Sequence, residues 1–142
     1  MNFPLKIVDA CCKVREKFYK PELIIGYLFS PELIFEPGII MAETNQFIKA
    51  LVEKPIQHIY ISLEQFFQTN IRGDRTGIER LKVNHELKKG KVALIWVRGL
   101  KTIQDFIEAI NLGLNEFITA GIASMMNRDL RIFLKENKGD KL

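Results

Sequence analysis

The chain is poor in the residues that most often do chemistry. It has three serines, two histidines, two cysteines and a single tryptophan in 142 residues. Ser30, Ser62 and Ser124 all lie outside a G-x-S-x-G elbow, which excludes the common serine-hydrolase arrangement. His58 and His85 fall in different segments, and no recognised zinc spacing joins them to the vicinal Cys11 and Cys12. Neighbouring cysteines rarely bridge each other, because disulfide geometry is hard to meet across one peptide bond. The pair therefore reads as two small, half-buried hydrophobes in a reducing compartment. Neither a P-loop nor a dinucleotide fingerprint is present. Hence neither a cofactor nor a metal is expected, and no residue is assigned a catalytic role.

Long apolar runs are missing too. No stretch of about 18 apolar residues exists, so no membrane span is expected. The first residues are charged within their first turns and lack the apolar core and small-residue cleavage site of a secretory signal. These absences predict a cytoplasmic protein, or one in a particle assembled in the cytoplasm.

What is present is ordinary globular material, 47% hydrophobic and 27% charged, with ten phenylalanines that predict an aromatic-rich core. The length predicts one globular domain over 1–136, with a flexible polar tail at 137–142. The net charge of +4 is concentrated in one place. Between Asn70 and Lys91 stand seven basic residues (Arg72, Arg75, Arg80, Lys82, Lys88, Lys89 and Lys91) against three acids. The rest of the chain is balanced.

Asn2 and Pro4 open a first helix, with Ile7, Cys11, Val14 and Phe18 spaced as its inward face; it ends near Lys20, before Pro21. Pro21-Glu-Leu-Ile-Ile is echoed by Pro31-Glu-Leu-Ile-Phe. The two copies predict strands at 23–29 and 33–35, with Gly26 marking a bulge or a close backbone approach. Pro37-Gly38 predicts a turn. A second helix follows over 39–53, then a β-rich run at 58–62 and a one-turn helix at 63–68. Leu81, Val83, His85 and Leu87 alternate with polar residues, which predicts a half-exposed strand. Lys88–Lys91 then turns it as a hairpin into Val92–Val97, whose continuous apolar run predicts the most buried strand. Thr102 and Asp105 resemble a capping box and open a third helix running through Ile118, broken at 119–121. The end of the chain reads as helix to Met126 and strand at 130–135.

The fold class expected is α/β (α+β in detail): a mixed sheet of four to five strands packed against about three helices in two layers. The function expected is a non-catalytic structural subunit of a homo-oligomeric or multi-protein assembly, such as a phage or secretion-machine connector, and not an enzyme. Its docking element would be the basic loop and hairpin at 70–91. The alternative is an accessory nucleic-acid-binding protein that touches phosphates through the same seven cations. The third reading is a small enzyme with its site near the carboxyl ends of the strands. Protein partners or further copies of the chain are expected, with no membrane.

Overall fold

The computed structural model describes the chain except residues 1, 34, 63–76, 98–99, 101, 115, 120–124, 126–127, 131, 133–134 and 136–142, and leaves aside the side chains of 77–81, 97 and 103. The one-turn helix expected at 63–68 and the tail expected at 137–142 lie outside the described residues.

Helices and strands alternate: α1 (Asn2–Lys17), β1 (Gly26–Phe29), α2 (Met41–Leu51), β2 (His58–Ser62), α3 (Gly77–Leu87), β3 (Ala93–Val97), α4 (Ile103–Asn111) and β4 (Phe117–Thr119). The four strands form one sheet in the order β1-β2-β3-β4, every pair parallel. The class is α/β, as expected. The mixed sheet is not: a helix returns the chain between each pair of successive strands, so each strand re-enters in the same direction.

That difference traces to 81–87, which is helical and not a strand. The side of α3 turned inward carries Asn84, Leu87 and Lys88, with Asn84 and Lys88 buried. Two polar members on the buried stripe hide its helical spacing, while Leu81, Val83 and Leu87 mimic a two-residue period. The hairpin arm at 82–91 therefore does not exist; Lys88–Lys91 is the turn between α3 and β3. The expected strand at 33–35 is also absent at Leu33 and Phe35, where the chain bends and Leu33 N–H donates to the Ile39 carbonyl at 3.1 Å across the Pro37-Gly38 turn.

α4 begins as expected. The Thr102 hydroxyl accepts from Asp105 N–H at 3.2 Å, and the Asp105 carboxylate accepts from Thr102 N–H at 2.9 Å. It ends earlier than expected, at Gly113, whose φ of +62° is the left-handed cap that glycine adopts most easily. Residues 117–119, expected as helix, form β4. Leu130, Ile132 and Lys135, expected as strand, are helical.

The core lies on one face of the sheet. Ile59 and Ile61 of β2 and Leu94 and Trp96 of β3 are fully buried, with Tyr27, Phe29 and Ile118 packed beside them. These residues share one parity of the register, so every sheet side chain in the core comes from the same face. Phe47, Ile48, Leu51, Phe106 and Ala109 cover it from α2 and α4. Each such large side chain contributes about 1.5–3 kcal/mol by leaving water. The inward stripe of α1 is offset by one residue from the expected one. Val8 and Cys12 are buried, while Ile7, Cys11, Val14 and Phe18 are exposed.

Candidate functional site

Among the described residues, no side chain on the opposite face of the sheet belongs to the core cluster. The side chains of that face stand in three register rows. At the N-terminal end are Gly26, His58 and Ala93; in the middle Leu28, Tyr60, Ile95 and Phe117; at the C-terminal end Ser62 and Thr119, joined through Val97. Each row has its own chemistry.

The first row is closed by a close approach. A Cβ on Gly26 would come within 1.9 Å of His58 Nε2, so the imidazole occupies the space that any other residue at 26 would claim. This is the close approach expected at Gly26. The middle row is largely apolar, with Leu28 and Phe117 at its two ends 62% and 60% exposed.

Above it, Tyr60 reaches across β3, and its hydroxyl lies 3.1 Å from Thr119 Oγ1. The Thr119 hydroxyl can in turn donate to the Trp96 carbonyl at 3.3 Å. With the relay pointing toward Trp96, the Tyr60 oxygen is left as an acceptor. Reversed, Thr119 donates to Tyr60 and the phenol O–H is free to donate. The pair can thus meet either kind of polar ligand atom.

The two edges of the sheet differ. At the N-terminal edge the chain is tied to itself. Arg15 donates to the Pro55 carbonyl at 2.8 Å and to Gln57 Oε1 at 3.1 Å, and Lys54 pairs with Asp9 at 2.8 Å. Gln57 Oε1 also accepts from Ile25 N–H at 2.8 Å. The buried Lys88 pairs with Glu116, whose second oxygen accepts from Leu94 N–H at 2.7 Å. His85 Nδ1 meets the Leu114 carbonyl at 2.9 Å. The C-terminal edge, where β2, β3 and β4 end at Ser62, Val97 and Thr119, carries the hydroxyl pair. In β/α architectures chemistry gathers at the C-terminal edge, and residues at the N-terminal edge serve stability.

This asymmetry divides the seven basic residues. Arg72 and Arg75 lie outside the described residues, as does the side chain of Arg80, which belongs to α3. Lys82 is exposed on α3, and Lys89 is exposed in the following turn. Lys91 binds Glu53 at 2.6 Å, and this hydrogen bond holds the Glu53 carboxyl below its ordinary range. Lys88 is buried, which pushes its ammonium below the ordinary lysine value. Lys88 and Lys91 are thus engaged inside the chain at the N-terminal edge. Burial also pushes the Cys12 thiol up, while Cys11 is exposed. Among the described residues no group of three or more His, Cys, Asp or Glu could hold a metal, and no helix is long and apolar enough to cross a membrane.

Tyr60, Ser62 and Thr119 were not among the residues the sequence singled out. The available signal was in 58–62, where His58, Tyr60 and Ser62 alternate with the buried Ile59 and Ile61.

No protein-family model matches the chain. Three curated proteins are similar to it. The protein named probable NADH-dependent flavin oxidoreductase YqiG, from Bacillus subtilis (strain 168), is 29% identical over 138 residues, covering 97% of this chain and 37% of its own length. The NADH:acrylate oxidoreductase of Vibrio harveyi is 27% identical over 115 residues, 79% of this chain and 12% of that protein. The NADH:fumarate oxidoreductase of Klebsiella pneumoniae (strain 342) is 31% identical over 62 residues, 44% of this chain and 7% of that protein. The chain thus spans little more than a third of the first and far less of the others.

These similarities overturn the expected function. All three relatives carry names of redox enzymes, so the non-catalytic structural subunit, with its phage or secretion-machine setting, does not stand, and neither does the expectation that the chain is not an enzyme. The similarity to the first relative covers 138 residues, and no short motif in the sequence signals it.

Proposed function

We propose that this chain is the flavin-carrying part of an NADH-dependent oxidoreductase, with its site on the open face of the sheet at the C-terminal edge. The observation that carries this reading is the similarity of nearly the whole chain to the probable NADH-dependent flavin oxidoreductase. The geometry supports the location. Parallel β/α sheets bind ligands beyond the carboxyl ends of their strands, and that end holds the Tyr60–Thr119 pair and Ser62 above an apolar row.

The residues present fit a flavin in kind. Ile95 and Phe117 supply an apolar surface beside the hydroxyls, suited to a flat ring system with polar edges. A bound flavin supplies hydride transfer between NADH and an acceptor. Tyr60 and Thr119 orient a polar ring edge by accepting or donating one hydrogen bond, and the apolar row keeps water from beneath it. By their place in the chain, between β2 and α3, Arg72 and Arg75 are the members of the basic segment assigned to an anionic phosphate, through guanidinium forks.

Equilibrium dialysis of the full chain against FMN and FAD tests the reading. Saturable retention of one of them is expected, weakened by Arg72→Ala with Arg75→Ala in a salt-dependent way and unchanged by Lys82→Ala. Absence of retention for both flavins sinks it.

A further inference from the structure

Helix α3 buries a polar side chain that no described residue satisfies. Asn84 is 0% exposed, and neither its amide oxygen nor its amide nitrogen has a hydrogen-bond partner. Only its backbone is engaged, the carbonyl accepting from Lys88 N–H at 3.2 Å in the last turn of the helix. A primary amide carries an acceptor oxygen and two N–H donors. Leaving such a group buried and unpaired lowers the folding equilibrium roughly 5- to 150-fold, and protein interiors leave few groups in that state.

The next residue on the same inward stripe is also polar. Lys88 stands one turn further on, its side chain 6% exposed, and side chains four residues apart on a helix are about 5–6 Å apart at Cβ. An ammonium has three N–H donors. Lys88 directs one to Glu116, and among the described residues the other two meet no acceptor. Glu116 is itself tied to β3. Its carboxylate accepts from Leu94 N–H at 2.7 Å, and its own N–H donates to the Leu94 carbonyl at 3.2 Å.

The chemistry around Asn84 selects what completes it. An anion would face the Glu116 carboxylate, and a cation would face the Lys88 ammonium. The two charges cancel, so the fitting ligand is neutral. An apolar molecule would leave the amide unpaired. Water donates and accepts at once, and a buried water makes two to four bonds. The Asn84 oxygen, the Asn84 nitrogen and the Lys88 ammonium supply three. Nothing outside the fold can take this place, because the amide is closed off on every side.

We propose that a single water molecule is held between α3 and the sheet, donating to the Asn84 amide oxygen and accepting from the Asn84 amide nitrogen and the Lys88 ammonium. It makes one polar chain of Asn84, Lys88, Glu116 and Leu94. That chain ends at the residue directly before β4, so a bound solvent molecule helps fix β4 on β3. The inference stands on the buried amide and does not depend on the flavin.

The test is NMR of the protein with isotope-labelled asparagine, read by paired NOE and ROE spectra against water. The Asn84 side-chain NH2, assigned by through-bond correlation, should show a cross-peak to water with the signs of dipolar contact to a long-lived molecule, not those of proton exchange. Water-oxygen magnetic relaxation dispersion then counts the long-lived waters. Asn84→Leu should hold one fewer than the unaltered protein, and Lys82→Leu, at an exposed position, the same number. An exchange-type cross-peak, or none, overturns the proposal. So does an unchanged count in folded Asn84→Leu; where that variant fails to fold, the cross-peak alone decides. Neither readout involves flavin. A missing water leaves the functional reading standing, and a protein that retains no flavin leaves the water.

Discussion

The Tyr60 hydroxyl and Thr119 Oγ1 meet at 3.1 Å although their strands are not neighbours, so Tyr60 spans the whole width of β3. Tyr60→Phe and Thr119→Val each remove one end of this contact without changing side-chain shape much. Each should cost about 1 kcal/mol of stability, the usual net worth of such a bond. If the pair also holds the flavin, each variant weakens flavin binding by up to roughly tenfold, the equivalent of one good hydrogen bond. Dialysis and thermal melts on the same samples separate the two effects. Unchanged flavin affinity in both variants would remove the pair from the site.

Gly26 and His58 are a second coupled pair. Gly26→Ala places a methyl 1.9 Å from the present position of Nε2, so the imidazole must leave. The expected loss is about 1–3 kcal/mol, the range for overpacking. His58→Ala should relieve most of it. A double-mutant cycle by chemical denaturation checks this; additive losses would contradict the assigned contact.

The Lys88–Glu116 pair is unequal, with the lysine side chain 6% exposed and the glutamate 40%. Removing the glutamate strands a buried charge; removing the lysine leaves a carboxylate that water can reach. Glu116→Gln is therefore expected to cost about 2 kcal/mol, below the range for fully buried pairs because of the exposed partner. Lys88→Met should cost less. Equal losses would contradict the asymmetry.

Burial sets a pH signature on the same lysine. It holds the Lys88 ammonium below its ordinary value of 10.5 in the fold, so the unfolded chain binds that proton more readily. Stability at this site should rise as pH climbs from the lowered value toward 10.5. The rise should be steeper in Glu116→Gln, which lacks the charge that favours the ammonium, and absent in Lys88→Met. Denaturation curves at successive alkaline pH values read it directly.

Thr102→Ala removes one half of the capping box that starts α4. A loss of about 1 kcal/mol is expected, read as a melting temperature lower by roughly 2–4 °C for a chain near this size. No change would mean that Asp105 alone sustains the cap.

The sequence carried the β/α class wherever local chemistry and tertiary burial agree. α2, β2 and β3 were legible because their apolar patterns match the faces the fold covers, the start of α4 because Thr102 and Asp105 cap it, and α1 as a helix though not in its inward face. α3 was not, because Asn84 and Lys88 stand on its buried stripe, and their burial depends on neighbours such as Glu116 that lie far along the chain. The parallel order was lost with it, since reading 81–87 as a strand made a hairpin of what is a crossover. The inward face of α1 was ambiguous in principle: two apolar stripes run side by side, and only packing against Pro55 and its neighbours selects Val8 and Cys12. For the site, excess charge drew the eye to 70–91, while Tyr60 and Thr119 are uncharged residues on separate strands brought together by register alone.

The central claim is redox chemistry with a flavin. The most direct measurement is anaerobic addition of NADH to the full chain loaded with flavin, followed by the visible absorbance of the oxidised ring. Bleaching that requires the chain and is slowed in Tyr60→Phe or Thr119→Val is the expected result. A chain that retains no flavin, or whose flavin stays oxidised in excess NADH, would contradict it.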